Sequence, residues 1–347
     1  ILLLLAIALL SSCNLDNQGI FAEVIDRVPS DNRKLSFIGL DESDANNKII
    51  YFKSVNGIES YNLTTGQYSK IDSSEDSKKN NVFVFSATDT DKEILYFVDK
   101  ATSDSVSYEI CYKLDIKDKD NVTITKLNNN SNLIFSGSYN QYLIDKEGKV
   151  YSYSITDTTI TFDKKAEVSS EYYVKNIDDI FAFSTKKSDA KASDLKYYKF
   201  DGNNFNPISL PEGTSNIGFL RSVTSDGTYQ YLIFSEVNGT AETSAFKLNG
   251  TKLTKESKLS STKVGKDFKS FVAGNNLYFA YDGSTSFNTL TLGENPALTS
   301  NTISKLGNVA IVGYFKVNDN VNNNDYIICT ANNGFLTLSL DGTPHLK

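Results

Sequence analysis

The chain has 347 residues, 39% hydrophobic and 12% aromatic, with 20 Tyr and 21 Phe, enough apolar material for a large core and too much for a disordered chain. A formal charge of −7 without a basic tract makes nucleic acid and anionic lipid surfaces poor partners. One His, three Cys and no Trp or Met remove most metal and His-based catalytic schemes.

Ile1 to Leu10 form an uncharged apolar run followed by Ser11-Ser12-Cys13. Such a run reaches only half of a bilayer core, which needs about 20 residues, and reads instead as the h-region of an export signal. Neither a Met nor a basic segment precedes Ile1, so the expectation is a signal peptide over 1–12 that is incomplete at its N-terminus. Leu10-Ser11-Ser12-Cys13 resembles the bacterial lipobox. The resemblance implies cleavage before Cys13, diacylglyceryl attachment to its thiol and acylation of the new N-terminus. Each buried CH₂ of the attached chains contributes about 0.8 kcal/mol, so several chains anchor firmly. Residues 13–19 then form a short lipidated tether, about 25 Å long when extended. Asn14 stands where enterobacterial lipoproteins retained in the inner membrane carry an acidic residue, which implies an outer-membrane location. The loose lipobox is similar to those of spirochaetes.

From residue 20 onward short apolar runs recur between turn residues. Ile49 to Phe52, Ile94 to Phe97, Tyr142 to Ile144 and Ile180 to Phe183 begin the series. Tyr231 to Phe234, Leu277 to Phe279 and Tyr326 to Cys329 continue it. A spacing of about 40 to 50 residues is a repeat period, and runs apolar on both faces suit inner strands pressed between neighbouring sheets. A second strand follows each run and ends in a turn such as Thr64-Thr65-Gly66, Asp201-Gly202, Asn249-Gly250 or Asp341-Gly342, where Gly supplies positive φ. A weaker third strand comes next, at Thr123 to Leu127, Ile160 to Phe162 and Pro207 to Leu210. A further strand precedes each run, at Val82 to Phe85, Phe219 to Val223, Phe268 to Val272 and Val309 to Phe315. The expected fold is all-β: a β-propeller of seven four-stranded blades over residues 20–347, closed by an N-terminal strand at Ile20 to Val28.

Tyr61-Asn62-Leu63-Thr64-Thr65-Gly66-Gln67 resembles the strand-and-turn signature of quinoprotein-type propellers. With the lipid anchor, the architecture is similar to the BamB family of lipoprotein propellers in the β-barrel assembly machinery. That resemblance implies binding to the periplasmic part of the barrel-forming subunit.

Other chemistry is sparse. His345 reads as a lone solvated residue. Cys111 and Cys329 fall in repeats two and seven and read as buried free thiols. Asp89, Asp91 and Glu93, or Asp319 and Asp325 with their Asn neighbours, lack the central Gly and terminal Glu of a calcium loop. Arg221 alternates with Phe219 and Val223 in a strand that should line the central channel, either as a contact for an anionic ligand or as a paired structural arginine. No catalytic residue, cofactor or metal site is expected. The expected function is a non-enzymatic interaction scaffold tethered to the membrane through the lipid on Cys13, with envelope proteins as partners. The alternatives are a surface lipoprotein that binds a host or environmental ligand, and an envelope glycan hydrolase using two carboxylates.

Overall fold

The structure, a computed structural model, describes residues 36–41, 48–54, 56–75, 82–86, 93–100, 108–118, 121–129, 131, 133–214, 216–281, 286–302, 311–316, 324–330, 334–339 and 344–346. Cys13, the signal and tether segments, Ile20 to Val28, and the acidic positions 89, 91 and 319 lie outside the described residues.

Short β-branched and aromatic runs closed by Gly, Asn and Asp favour successive hairpins, and the described chain consists of them. The first four-stranded antiparallel sheet is β1 (Ser36–Asp41), β2 (Ile49–Ser54), β3 (Gly57–Asn62) and β4 (Tyr68–Asp72). The next two groups of four are β5 (Val82–Ser86), β6 (Glu93–Lys100), β7 (Tyr108–Asp115), β8 (Thr123–Asn129), and β9 (Phe135–Tyr139), β10 (Tyr142–Asp145), β11 (Val150–Thr156), β12 (Thr159–Ala166). Then come β13 (Tyr172–Ile177), β14 (Ile180–Ser184), β15 (Leu195–Phe200), β16 (Phe205–Pro207), and β17 (Phe219–Ser225), β18 (Gln230–Ser235), β19 (Thr243–Asn249), β20 (Lys252–Ser260). The last two are β21 (Ser270–Ala273), β22 (Asn276–Phe279), β23 (Ser286–Thr291), β24 (Leu298–Thr302), and β25 (Ile311–Lys316), β26 (Asn324–Thr330), β27 (Gly334–Ser339), β28 (Pro344–Leu346). Each group is ordered in space as in sequence. The final group is four-stranded without Ile20 to Val28, because Pro344–Leu346 pairs with β27.

First strands pack on first strands: β1 touches both β5 and β25, β9 touches β5 and β13, and β17 touches β13 and β21. The seven apolar runs therefore occupy the second position of each group, one place out from the inner strand that the sequence pattern suggested. Their two-sided hydrophobicity has a direct cause. In β14, Ile180 and Ala182 join a cluster with Leu220, Leu232 and Phe234 of the following group. Phe181 and Phe183 point the other way, to Ile144 and Val150 of the preceding one. β18 repeats the pattern, with Leu232 and Phe234 on one side and Tyr231 and Ile233 packed towards Leu277 and Phe279 on the other. The core is thus a series of slabs between sheets, and each fully buried side chain of this size contributes about 1.5–3 kcal/mol.

Five first strands carry a register break, at Ile38, Ser136, Val174, Arg221 and Val312. A bulge increases local twist, and after two of them the next residue meets the neighbouring group. A Cβ on Gly137 would lie 2.4 Å from Asn176 Oδ1 of the next group, and Ser222 Oγ lies 2.9 Å from Ser270 Oγ.

Two outer strands are joined across groups. β8 and β12 pair in parallel through Asn128 with Thr159 and Asn129 with Ile160, which merges their groups into one eight-stranded sheet. Ser209, just beyond β16, forms a parallel bridge to Lys252 of β20; it accepts from the Leu253 N–H at 3.1 Å and donates to Thr251 O at 2.8 Å. The expected strand Pro207 to Leu210 is thus a short pairing at Phe205–Pro207 followed by this single bridge. Cys111 in β7 is buried, and its thiol is not part of a disulfide. Cys329 lies in β26 opposite Gly313 and Phe335.

Candidate functional site

The turns that join first to second strands in three consecutive groups border a cavity of about 660 Å³. Two of these turns are two residues long. Asn140-Gln141 is flanked by the Tyr139–Tyr142 pair, and Asp178-Asp179 by the Ile177–Ile180 pair. Asn140 and Asp178 adopt φ of 48° and 51°, a left-handed conformation that short polar side chains tolerate better than most. The third turn is held by Asp226, whose Oδ1 accepts the Thr228 and Tyr229 N–H groups at 2.8 and 2.7 Å, while Oδ2 accepts the Tyr231 hydroxyl at 3.1 Å. Burial alone would raise this carboxyl, but those donors outweigh it and hold it below the usual carboxylate range.

These turns bring Tyr139, Asp178, Asp179, Tyr229 and Gln230 to the cavity wall, with Lys199 from the end of β15 and Lys269 just before β21; Ile38 of β1 also lines it. Asp179 is only 4% exposed. Its Oδ1 accepts Gln230 Nε2 at 2.6 Å, and its Oδ2 stands 3.9 Å from Lys199 Nζ. Lys269 Nζ is 4.0 Å from Asp178 Oδ1. Burial pushes the Asp179 carboxyl above its ordinary pKa, against the opposing effects of Gln230 and Lys199. Burial, and then the Asp179 charge, also push the Tyr139 hydroxyl up, so that phenol stays protonated. Gln230 Oε1 is buried and has no hydrogen-bond partner among the described residues. The amide cannot simply be turned over, because its oxygen would then face the Asp179 carboxylate.

A buried carboxylate with a raised pKa opposes folding at neutral pH. Asp179→Asn keeps an acceptor for Gln230 and removes the charge, so the variant is expected to be more stable than the parent at pH 7. The difference should shrink as the pH falls through the raised Asp179 pKa, where the parent binds its proton. Urea denaturation at pH 7 and pH 4 checks this; a variant less stable at pH 7 would show that the charge is compensated.

Arg221 does not line this cavity. Its Nε donates to Ser235 Oγ at 2.7 Å, its Nη1 lies 3.5 Å from Asp267 Oδ1, and its guanidinium sits 5.3 Å from the Phe219 ring centre. Lys175 Nζ shares Asp267 at 2.6 Å and also donates to Leu220 O. Among the described residues no three His, Cys, Asp or Glu side chains gather as a metal site would require. His345 is in β28 opposite Thr337. The sequence pattern did not single out Asp178, Asp179, Lys199, Gln230 or Lys269. Asp178-Asp179 reads as an ordinary turn, and the other three come from separate repeats that only the packing of the sheets unites.

Compared with known proteins, the chain matches no family model and no curated protein. Its fold does have solved counterparts. A catalytically inactive virginiamycin B lyase from Staphylococcus aureus superposes with a TM-score of 0.51 at 12% identity, over 89% of this chain and 96% of that one. An ancestral GH74 enzyme superposes with a TM-score of 0.54 at 9% identity, over 91% of this chain. This chain spans about half of that enzyme, 49% of its length. The β-propeller domain of the trilobed protease from Pyrococcus furiosus matches with a TM-score of 0.47 at 11% identity, over 90% of this chain and 97% of that one. The likeness is one of fold: the chain is an all-β protein of the β-propeller class.

Proposed function

We propose that the chain is a lipid-anchored propeller of seven blades, closed into a disc, that serves as a non-enzymatic scaffold for envelope proteins. Supporting the disc are the consecutive groups of four strands and the contact of β1 with both β5 and β25. The observation that carries the role is the lipobox-like Leu10 to Cys13 in front of a body that presents apolar side chains on outer strands. Tyr68 on β4 and Leu298 on β24 are 44% and 43% exposed. Outer strands with one unpaired edge accept an added strand, where backbone hydrogen bonds supply affinity and alternate side chains supply selectivity. By the architectural resemblance, the barrel-forming subunit of the outer membrane is the partner to test first.

Cys13→Ala should abolish incorporation of radiolabelled palmitate, since it removes the thiol that takes the diacylglyceryl group and with it the cleavage that frees the N-terminus for acylation. A variant that still incorporates the label would remove the anchor. Affinity purification of the wild-type chain from detergent-solubilised envelopes should recover a barrel-assembly subunit; recovery of other proteins without it would remove that partner. Protease treatment of intact cells then separates a periplasmic scaffold, protected until lysis, from a surface receptor, digested at once.

A further inference from the structure

We propose that the cavity between the Asn140, Asp178 and Ser225–Gln230 turns binds a neutral glycan. At about 660 Å³ it falls within the ~300–1,000 Å³ of small-ligand sites. Its wall carries two carboxylates, Asp178 and Asp179, and two ammonium groups, Lys199 and Lys269. These charges balance, so a ligand with net charge of either sign would meet two like charges on binding. What the wall offers instead is unfilled hydrogen bonding. The two ion pairs are open, at 3.9 and 4.0 Å, beyond hydrogen-bond range. A hydroxyl oxygen about 2.8 Å from both members of such a pair subtends an angle of roughly 90°, close to the directions in which a hydroxyl donates and accepts. A sugar hydroxyl can therefore give its proton to the carboxylate and receive one from the ammonium.

Gln230 strengthens the assignment. Its Nε2 donates to Asp179 Oδ1 at 2.6 Å, which fixes the carboxylate at the wall and leaves Oδ2 as the acceptor facing Lys199. Tyr139 and Tyr229 also line the wall, the Tyr229 ring being held by Lys247 Nζ at 3.7 Å from its centre. Amide, carboxylate, ammonium and tyrosine side chains converging on one polar cavity match a ligand whose every substituent both donates and accepts.

The test titrates the full-length, detergent-solubilised chain with maltotriose, cellotriose and chitotriose, and with the dipeptide Gly-Gly as a zwitterionic competitor. At least one trisaccharide should bind, and its presence should slow hydrogen exchange at the Tyr229 and Gln230 amides. Asp179→Asn and Lys199→Gln should each weaken binding about tenfold, the effect of losing one charged hydrogen bond. Lys255→Gln, which alters a surface pair with Glu242, should bind as the wild type does. Melting curves confirm that each variant is folded, and the exchange measurement on the unaltered chain stands if one is not. Absence of saccharide binding, binding of the dipeptide alone, or affinities indifferent to Asp179 and Lys199 would each overturn the proposal.

Discussion

Gly218→Ala should lower the unfolding free energy by at least about 3 kcal/mol, through a clash that no side-chain rotation relieves. Gly218 has φ +80°, and a Cβ built on it would lie 1.9 Å from Ser235 O and 2.8 Å from Glu236 C. Both obstacles are backbone at the end of β18, the buried second strand of its group. The Gly218 carbonyl also accepts the Tyr197 hydroxyl at 2.6 Å, and that hydroxyl accepts the Leu220 N–H at 3.2 Å. A shift at Gly218 would therefore break the bond that ties β15 to the start of β17. Gly227 provides the comparison: its φ is +91°, but nothing lies within 4 Å of an added Cβ. Gly227→Ala should show only the ~1–2 kcal/mol cost of a left-handed backbone. Chemical denaturation of both variants measures the difference. Equal losses would mean that the approach to Ser235 relaxes freely.

Phe181→Ala should cost about 3–5 kcal/mol, the range for emptying a closed core position of a large aromatic ring. Phe181 is fully buried and its ring meets Phe205 at 4.8 Å, Phe200 at 6.1 Å and Phe183 at 6.4 Å, with Phe205 and Phe200 edge-on. It packs in one cluster with Ile144 and Val150 of the preceding group, so its loss opens the slab between two sheets rather than a gap within one. Phe205→Ala, at a half-buried position of the same cluster, should cost less because water can fill the space. If the two substitutions proved equally mild, the slab would be able to collapse around the void, and the sheets would not be held apart by their hydrogen-bonded frames.

The repeat was legible because its strongest signal, an apolar run with β-branched and aromatic residues on both faces, coincides with the strand that burial demands. All seven runs fall within β2, β6, β10, β14, β18, β22 and β26. Turn chemistry at Asp201-Gly202 and Asn249-Gly250 located the hairpins between β15 and β16 and between β19 and β20. The first strands were harder to delimit. Bulges at Val174 and Arg221 interrupt the two-residue alternation, and Phe268 falls ahead of β21, where its N–H donates to Arg221 O at 3.0 Å. Arg221 drew notice as a rare cation on a channel strand, but its partners Ser235 and Asp267 lie 14 and 46 residues away and carry no spacing signal. The cavity was illegible for the same reason. Asp179 and Gln230 are separated by 51 positions and meet only because neighbouring sheets stack turn against turn.

The parallel contacts between outer strands make the margins of the groups unlike. The run from the second group to the fifth has its margin sewn twice, by β8 on β12 and by Ser209 on Lys252. The outer strands β4, β24 and β28 carry no such seam among the described residues. Under the scaffold reading, an added strand would find occupied margins in the second to fifth groups and open ones at β4, β24 and β28, which would give docking a preferred direction even though the repeats are built alike.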